Sequence, residues 1–388
     1  MRPGLTETKS KGTSRRDFLK TAAVVAGAAG LAAGYGLRDV IGRPPWSPEM
    51  TTTVTQTTTE ALKCSASLKA IAEARGFLVG SVADATTLVG SLPYASTLAR
   101  EFNYVATDHE MNWRRVHPGV NDWNYLFADD IVNFAIDHQM KLCGHSLIWY
   151  YSEMPNYLTS ATPVDEFRQM YENHIKTLVG HYKGKVYAWY TVCEAVDNDG
   201  QLRDTLFLEK LGEEYIGDAF RLAHEADPDA ILLYTDYGAE ALGKKSDGVY
   251  NLVKSLLADG VPIHGVGLEM HVGMDPTGYP KPEDIAKNIR RLAKLGLSVE
   301  ITEMDVQIRH LPGSLPERLE AERKIYHDII AACLKEKGFT NITFCGFTDA
   351  DSWIRYYFNE PDEYPLLFDE KFEPKPAYWG VMEALLGQ

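Results

Sequence analysis

Eight short apolar, β-branched runs alternate with amphipathic helical stretches along the chain, and nearly every run ends in polar residues that a core cannot hold. The runs are 77–84, 104–110, 141–149, 187–195, 230–238, 265–272, 298–306 and 342–353. Helical periodicity fills 127–138, 164–182, 213–226, 247–259, 282–295 and 316–337, and a last helix over 377–386 closes the chain. Strands separated by helices form a parallel sheet. Eight such units in roughly 300 residues predict an α/β fold closed as a (β/α)8 TIM barrel. An open doubly wound sheet calls for a Gly-rich phosphate loop after the first strand. Here that strand ends in Ser81-Val82-Ala83-Asp84.

The polar ends are Asp108, His109 and Glu110; His145 and Trp149; Glu194; Asp236 and Tyr237; Glu269 and His271; Glu303 and Asp305; Asp349 and Asp351. Active sites of such barrels sit at the C-terminal ends of the strands. Buried charges need partners, so these ends are expected to converge on one site. Residues ending the fourth and seventh strands can face each other across the mouth. Glu194 and Glu303 therefore read as the paired carboxyls of a glycoside hydrolase. Retention of configuration needs two such groups about 5 Å apart, one of them an acid with a raised pKa. The strand period of two places Asp305 on the side of Glu303. His271, next to Glu303, can orient it and keep it ionised.

The region before the barrel is not fold. Ser14-Arg15-Arg16-Asp17-Phe18-Leu19-Lys20, followed by an Ala/Gly-rich apolar run, is a twin-arginine export pattern over 1–40. The run is short and poor in large aliphatics for a membrane span, although an uncleaved signal still anchors. Residues 41–61 form a Thr-rich linker, and the single catalytic domain is expected over 62–388. The product is thus a secreted or cell-surface protein.

The net charge of −15 disfavours nucleic acid and anionic lipid as partners and is indifferent to neutral sugars. The five cysteines show no CxxC spacing, so neither a zinc site nor a disulfide framework is expected, though one pair could oxidise after export. His145, His271 and nearby carboxylates are ligand types, yet the first strand lacks an HxH pair and no HExxH occurs. No metal and no cofactor are expected. Tyr150, Tyr151, Tyr356 and Tyr357 are rim aromatics, whereas His224, His264 and His327 read as structural. The sequon Asn341-Ile342-Thr343 opens a buried strand, which argues against its use.

From about Leu62 to Leu386 the chain resembles glycoside hydrolase family 10, the endo-1,4-beta-xylanase family. The resemblance is carried by Gly144-His145-Ser146-Leu147-Ile148-Trp149, Val192 with Glu194-Ala195, Leu211-Gly212-Glu213, Ala226-Asp227-Pro228 and Asp236-Tyr237. It continues through Gly265-Val266-Gly267 with His271, Ile301-Thr302-Glu303-Met304-Asp305, Ser352-Trp353 and Pro365-Leu366-Leu367-Phe368-Asp369. It implies Glu194 as acid/base and Glu303 as nucleophile of a retaining, endo-acting enzyme, supported by His271 and Asp305. His145, Trp149 and Trp353 are then placed around the central sugar of a β-1,4-linked polysaccharide, xylan foremost, in a monomer that needs no metal.

The departures lie in the sugar-contacting shell. Cys193 stands where the family has the Asn that bonds the sugar 2-hydroxyl. Asp108, His109 and Asn112 replace three polar residues that hold the next sugar. Glu269 replaces a Gln, Tyr150 a His and Cys345 a Trp. With Tyr237, these residues complete the expected substrate-binding set. They leave open a glycanase acting on glucan, mannan or decorated xylan, and a weakly catalytic glycan-binding barrel.

Overall fold

A computed structural model describes residues 66–151, 154–274 and 279–388; the expected export segment and Thr-rich linker lie outside the described residues. Its strands are β1 (Leu78–Ala83), β2 (Tyr104–Thr107), β3 (Lys141–Trp149), β4 (Ala188–Cys193), β5 (Ile231–Tyr237), β6 (Gly265–Glu269), β7 (His271–Val272), β8 (Ser298–Val306) and β9 (Phe339–Phe344). All pairings are parallel, in the order β6-β5-β4-β3-β2-β1-β9-β8, and β6 pairs with β8 to close the ring. β7 is a two-residue continuation past β6, with His271 opposite Asp305 of β8. The result is the expected eight-stranded (β/α)8 barrel.

Two apolar layers hold it. The larger lies between sheet and helices and includes Leu98, Phe134, Leu178, Phe220, Ile289 and Ile330. The smaller lies inside the barrel, around Tyr104, Ala106, Cys143, Ala188, Tyr190, Cys193 and Leu233. Strand alternation separates the two sets. Gly144 of β3 is required by the close approach of Trp189 on β4, because a Cβ there would fall 2.3 Å from the indole. Glu300 is also buried, with Asn341 Nδ2 donating to its Oε2 at 3.1 Å. The same Asn341 amide reaches Thr343 Oγ1 and is fully buried, so the sequon asparagine faces the interior.

Three strand pairings depart from regular register near their C-terminal ends: β3–β4 between His145 and Ile148, β4–β5 between Tyr190 and Val192, and β8–β9 between Ile301 and Met304. Such irregularities re-aim side chains. Here they occur on the strands that carry His145, Glu194 and Glu303.

Several strand ends are shorter than the apolar runs predict. β2 stops at Thr107 because Glu110 folds back, accepting from the amides of Asp108 (2.9 Å) and Ala85 (2.7 Å). The last strand begins at Phe339 and stops at Phe344, not at Trp353. Gly346, at φ +85°, turns the chain, and the Thr348 hydroxyl then caps a 3-10 turn over Asp349–Asp351. Trp353–Tyr357 is a short helix. Among the described residues no helix is long and apolar enough to cross a membrane.

Candidate active site

β8 delivers Glu303 and Asp305, and β7 delivers His271 between them. His271 Nδ1 lies 2.9 Å from Asp305 Oδ2 and Nε2 lies 3.6 Å from Glu303 Oε2. The indole N–H of Trp353 donates to the same Asp305 oxygen at 2.8 Å, so that carboxylate fixes two rings at once. Burial alone would strip the proton from His271, but the Asp305 and Glu303 carboxylates outweigh it and hold its pKa well above the ordinary value.

Burial would likewise raise Glu303. The hydrogen bond from His271 and the charges of His145 and His271 outweigh it, and its pKa is held below the usual carboxylate value. His145 Nδ1 donates to the carbonyl of Asp108 at 2.6 Å, which turns Nε2 toward Glu303 Oε1 at 3.9 Å. The Cys345 thiol, just past β9, reaches Glu303 Oε2 at 3.8 Å.

Glu194 is held differently. It is the first residue after β4 and has φ +57°, a left-handed conformation that costs a non-glycine residue energy and persists only where surroundings enforce it. Its amide donates to Thr235 O at 2.9 Å, and its carbonyl accepts from Arg203 Nε at 2.9 Å. Arg203 also donates to Val196 O (3.2 Å) and to the Tyr237 hydroxyl (3.1 Å), and its guanidinium covers the Tyr150 ring at 4.5 Å. Burial, then the negative charges of Asp236 and Glu303, push the Glu194 carboxyl up to about 7 against the opposing Lys245 ammonium and Trp149 indole. Asp236 and Lys245 are a buried ion pair at 2.8 Å, with the ammonium 3.3 Å over the Tyr237 ring. Burial raises Asp236 despite that partner.

Below the two carboxyls, Glu269 is 3% exposed and accepts from Thr235 Oγ1 at 2.8 Å. Burial, then the charges of Glu303 and Glu194, raise its pKa well above the ordinary carboxylate value, which favours the protonated acid. A neutral carboxyl offers one O–H donor and one carbonyl acceptor, much as the amide of a Gln does. Cys193 is buried beside it, and burial followed by the Glu269 charge raises the thiol well above its ordinary value.

The structure thus brings Glu194, Glu303, His271, Asp305, His145, Glu269, Trp149, Trp353, Tyr237 and Cys193 together. It treats the residues after β2 differently. The side chains of Asp108 and His109 are about two-fifths exposed and face each other, with His109 Nε2 3.4 Å from Asp108 Oδ1. The His109 ring stacks parallel to Trp149 at 6.4 Å. Asn112 is not on the cleft surface. It is 1% exposed; Oδ1 accepts from the Ser146 amide at 2.8 Å and Nδ2 donates to His109 Nδ1 at 3.1 Å.

Sequence reading missed Arg203 and Lys245. Arg203 sits in an irregular loop and Lys245 in the first turn of the helix Lys244–Ala258, where no periodic or motif signal marks either. Of the rim aromatics, Tyr356 and Tyr357 are largely exposed. His264 is structural, accepting the Leu232 amide at 3.0 Å. The four described cysteines, Cys143, Cys193, Cys333 and Cys345, are free thiols.

The family model for glycosyl hydrolase family 10 matches residues 67–384, and that for the twin-arginine translocation signal matches residues 12–32, which marks the chain for export by that route. The chain is 38% identical to endo-1,4-beta-xylanase B of Thermotoga neapolitana over 295 residues, covering 75% of this chain and 83% of that protein. It is 37% identical to a beta-1,4-xylanase of Dictyoglomus thermophilum over 301 residues, covering 75% and 84%. The crystal structure of native xylanase 10B from Thermotoga maritima superposes with a TM-score of 0.78 at 38% identity, covering 82% of this chain and 98% of that one. Xylanase 10B from Thermotoga petrophila RKU-1, in complex with xylobiose, gives the same score and identity and covers 82% and 97%. A closed (β/α)8 barrel with its titratable groups at the strand ends, matched over nearly its whole length, makes this exported chain a member of glycoside hydrolase family 10, the endo-1,4-beta-xylanase family.

Proposed function

We propose that the protein cleaves internal β-1,4 bonds of xylan with retention of configuration, using Glu194 as acid/base and Glu303 as nucleophile. One observation carries this assignment: two neighbouring carboxyls are driven in opposite directions, Glu194 up to about 7 and Glu303 below its ordinary value. Titratable pairs pushed apart in this way divide acid and nucleophile roles between them.

In the first step Glu303 attacks the anomeric carbon while the Glu194 proton passes to the leaving oxygen. In the second, Glu194 takes a proton from water and the glycosyl–Glu303 bond is hydrolysed. His271 and Asp305 keep Glu303 ionised and aimed. His145, Trp149, Trp353, Tyr237, Glu269 and Cys193 line the sugar under attack, and Asp108 and His109 face its neighbour. Residues 1–40 serve as the export signal, 41–61 as a linker and 62–388 as the catalytic domain.

A second reading, hydrolysis of a decorated xylan or another β-glycan, is favoured by one observation: Asp108 and His109 pair with each other, and Asn112 is committed inside the fold. Incubation of the purified protein with xylan, arabinoxylan, β-glucan and mannan, followed by proton NMR of the first products, tests both. Release of β-configured xylo-oligosaccharides is expected. Exclusive cleavage of glucan or mannan, or α-configured first products, would overturn the proposal.

A further inference from the structure

Glu194 does not point where its strand would send it. Along β4 the side chains of Tyr190 and Cys193 lie inside the barrel, while those of Trp189 and Val192 pack in the layer under the helices. Strand alternation continued by one residue would send Glu194 to the helix side. Instead its φ of +57° turns the chain, and the carboxyl is left among the charges of Asp236, Glu303 and Lys245. A Glu has no local reason to adopt that conformation, so the surroundings must hold it.

One residue does most of the holding. After Glu194 the chain pairs Val196 with Leu202 in a short antiparallel return and comes back at Arg203. There the Arg203 amide donates to Ala195 O at 2.8 Å, Nε to Glu194 O at 2.9 Å and Nη2 to Val196 O at 3.2 Å. Three consecutive carbonyls are thus satisfied by a single residue. Nη2 also donates to the Tyr237 hydroxyl at 3.1 Å, the guanidinium covers the Tyr150 ring at 4.5 Å, and Nη1 lies 3.6 Å from Asp197 Oδ1. Only 13% of the side chain is exposed. The planar fork matters here, because a single ammonium cannot serve two carbonyls and a hydroxyl while stacking flat on a ring.

We infer that Arg203 is a positioning residue of the acid/base step: it holds Glu194 in the left-handed turn that aims its carboxyl at the leaving oxygen. Arg203 itself passes no proton. The inference rests on the acid/base role given to Glu194 above. It assigns the effect to one defined event, because a poor leaving group needs the Glu194 proton to depart and a dinitrophenolate does not.

The test compares kcat/KM on two β-xylobiosides, one with a phenyl and one with a 2,4-dinitrophenyl leaving group, for the parent protein, Arg203→Lys and Glu194→Ala. Arg203→Lys is expected to lose about 100-fold on the phenyl substrate and less than about twofold on the dinitrophenyl one. Glu194→Ala is expected to show the same selectivity. Circular dichroism checks the fold of each variant, and Arg203→Gln is judged by the same ratio should Arg203→Lys not fold. Equal losses on the two substrates in the Arg203 variant, or no loss on either, beside a selective loss in Glu194→Ala, would overturn the positioning role. Equal losses in Glu194→Ala would instead overturn the acid/base reading, and the inference with it.

Discussion

The floor of the cleft and the wall that follows β2 are built on opposite principles. On the floor, Glu303, His271, Asp305 and Trp353 form one chain of contacts in which each polar group fixes the next. Across the mouth, Glu194 is fixed through its backbone by Thr235 and Arg203. On the wall, Asp108 and His109 stand partly in water and face each other, while Asn112 serves the backbone of Ser146. Reaction type depends on buried groups whose ionisation is set by burial together with the charges packed against them. Grip on the neighbouring sugar depends on groups that water screens, where an ion pair contributes little. A chain can therefore change its wall while keeping its chemistry.

The sharpest way to break this contrast is on the floor. Glu303→Gln is expected to lower kcat on xylan by at least about 10,000-fold with the circular dichroism spectrum unchanged. Near-parental activity would remove the nucleophile assignment. Glu194→Ala is expected to lose about 100- to 10,000-fold on the polysaccharide. Its pH profile carries a sign. Glu194 must be protonated for the first step, so activity of the parent protein falls as pH rises through about 7. That alkaline limb disappears in Glu194→Ala. On the acid side activity falls only below the ordinary carboxylate range, where Glu303 takes up its proton.

Cys193 sits between the two regions. A thiol is a weak donor to a sugar hydroxyl. Cys193→Asn, which restores the family residue, is expected to raise kcat/KM on xylan about tenfold, since a bond to the 2-hydroxyl strengthens in the transition state. A loss of rate would show that Cys193 and its packing beside Glu269 are matched to another sugar.

 His109→Ala tests the wall alone, and KM is expected to rise about two- to fivefold with kcat kept. An equal fall in kcat would move His109 into the chemistry.

Much of this was legible in the chain, for physical reasons. Eight apolar runs separated by amphipathic helices dictated the barrel. Glu194 and Glu303 stood out because charge at the end of an apolar strand is costly without a purpose. The last strand ends before its apolar run does, because Phe347 continues the apolar pattern past Gly346, where positive φ turns the chain. Asn112 gave no sign of facing inward, since an amide satisfies backbone groups as readily as a sugar. Arg203 and Lys245 act from a loop and a helix start that only the folded chain brings beside Glu194 and Asp236. The register shifts near His145, Tyr190 and Ile301 arise from pairing between strands, which no single run encodes.

The division of roles between the two glutamates is tested most directly by trapping the intermediate. The protein is incubated with a 2-deoxy-2-fluoro-xylobioside carrying a good leaving group, and the labelled peptide is located by mass spectrometry. One fluoroxylobiosyl group on Glu303, with Glu194 unmodified, is the expected result. A label on Glu194, or steady turnover through an inverting route with no trapped species, would contradict the account.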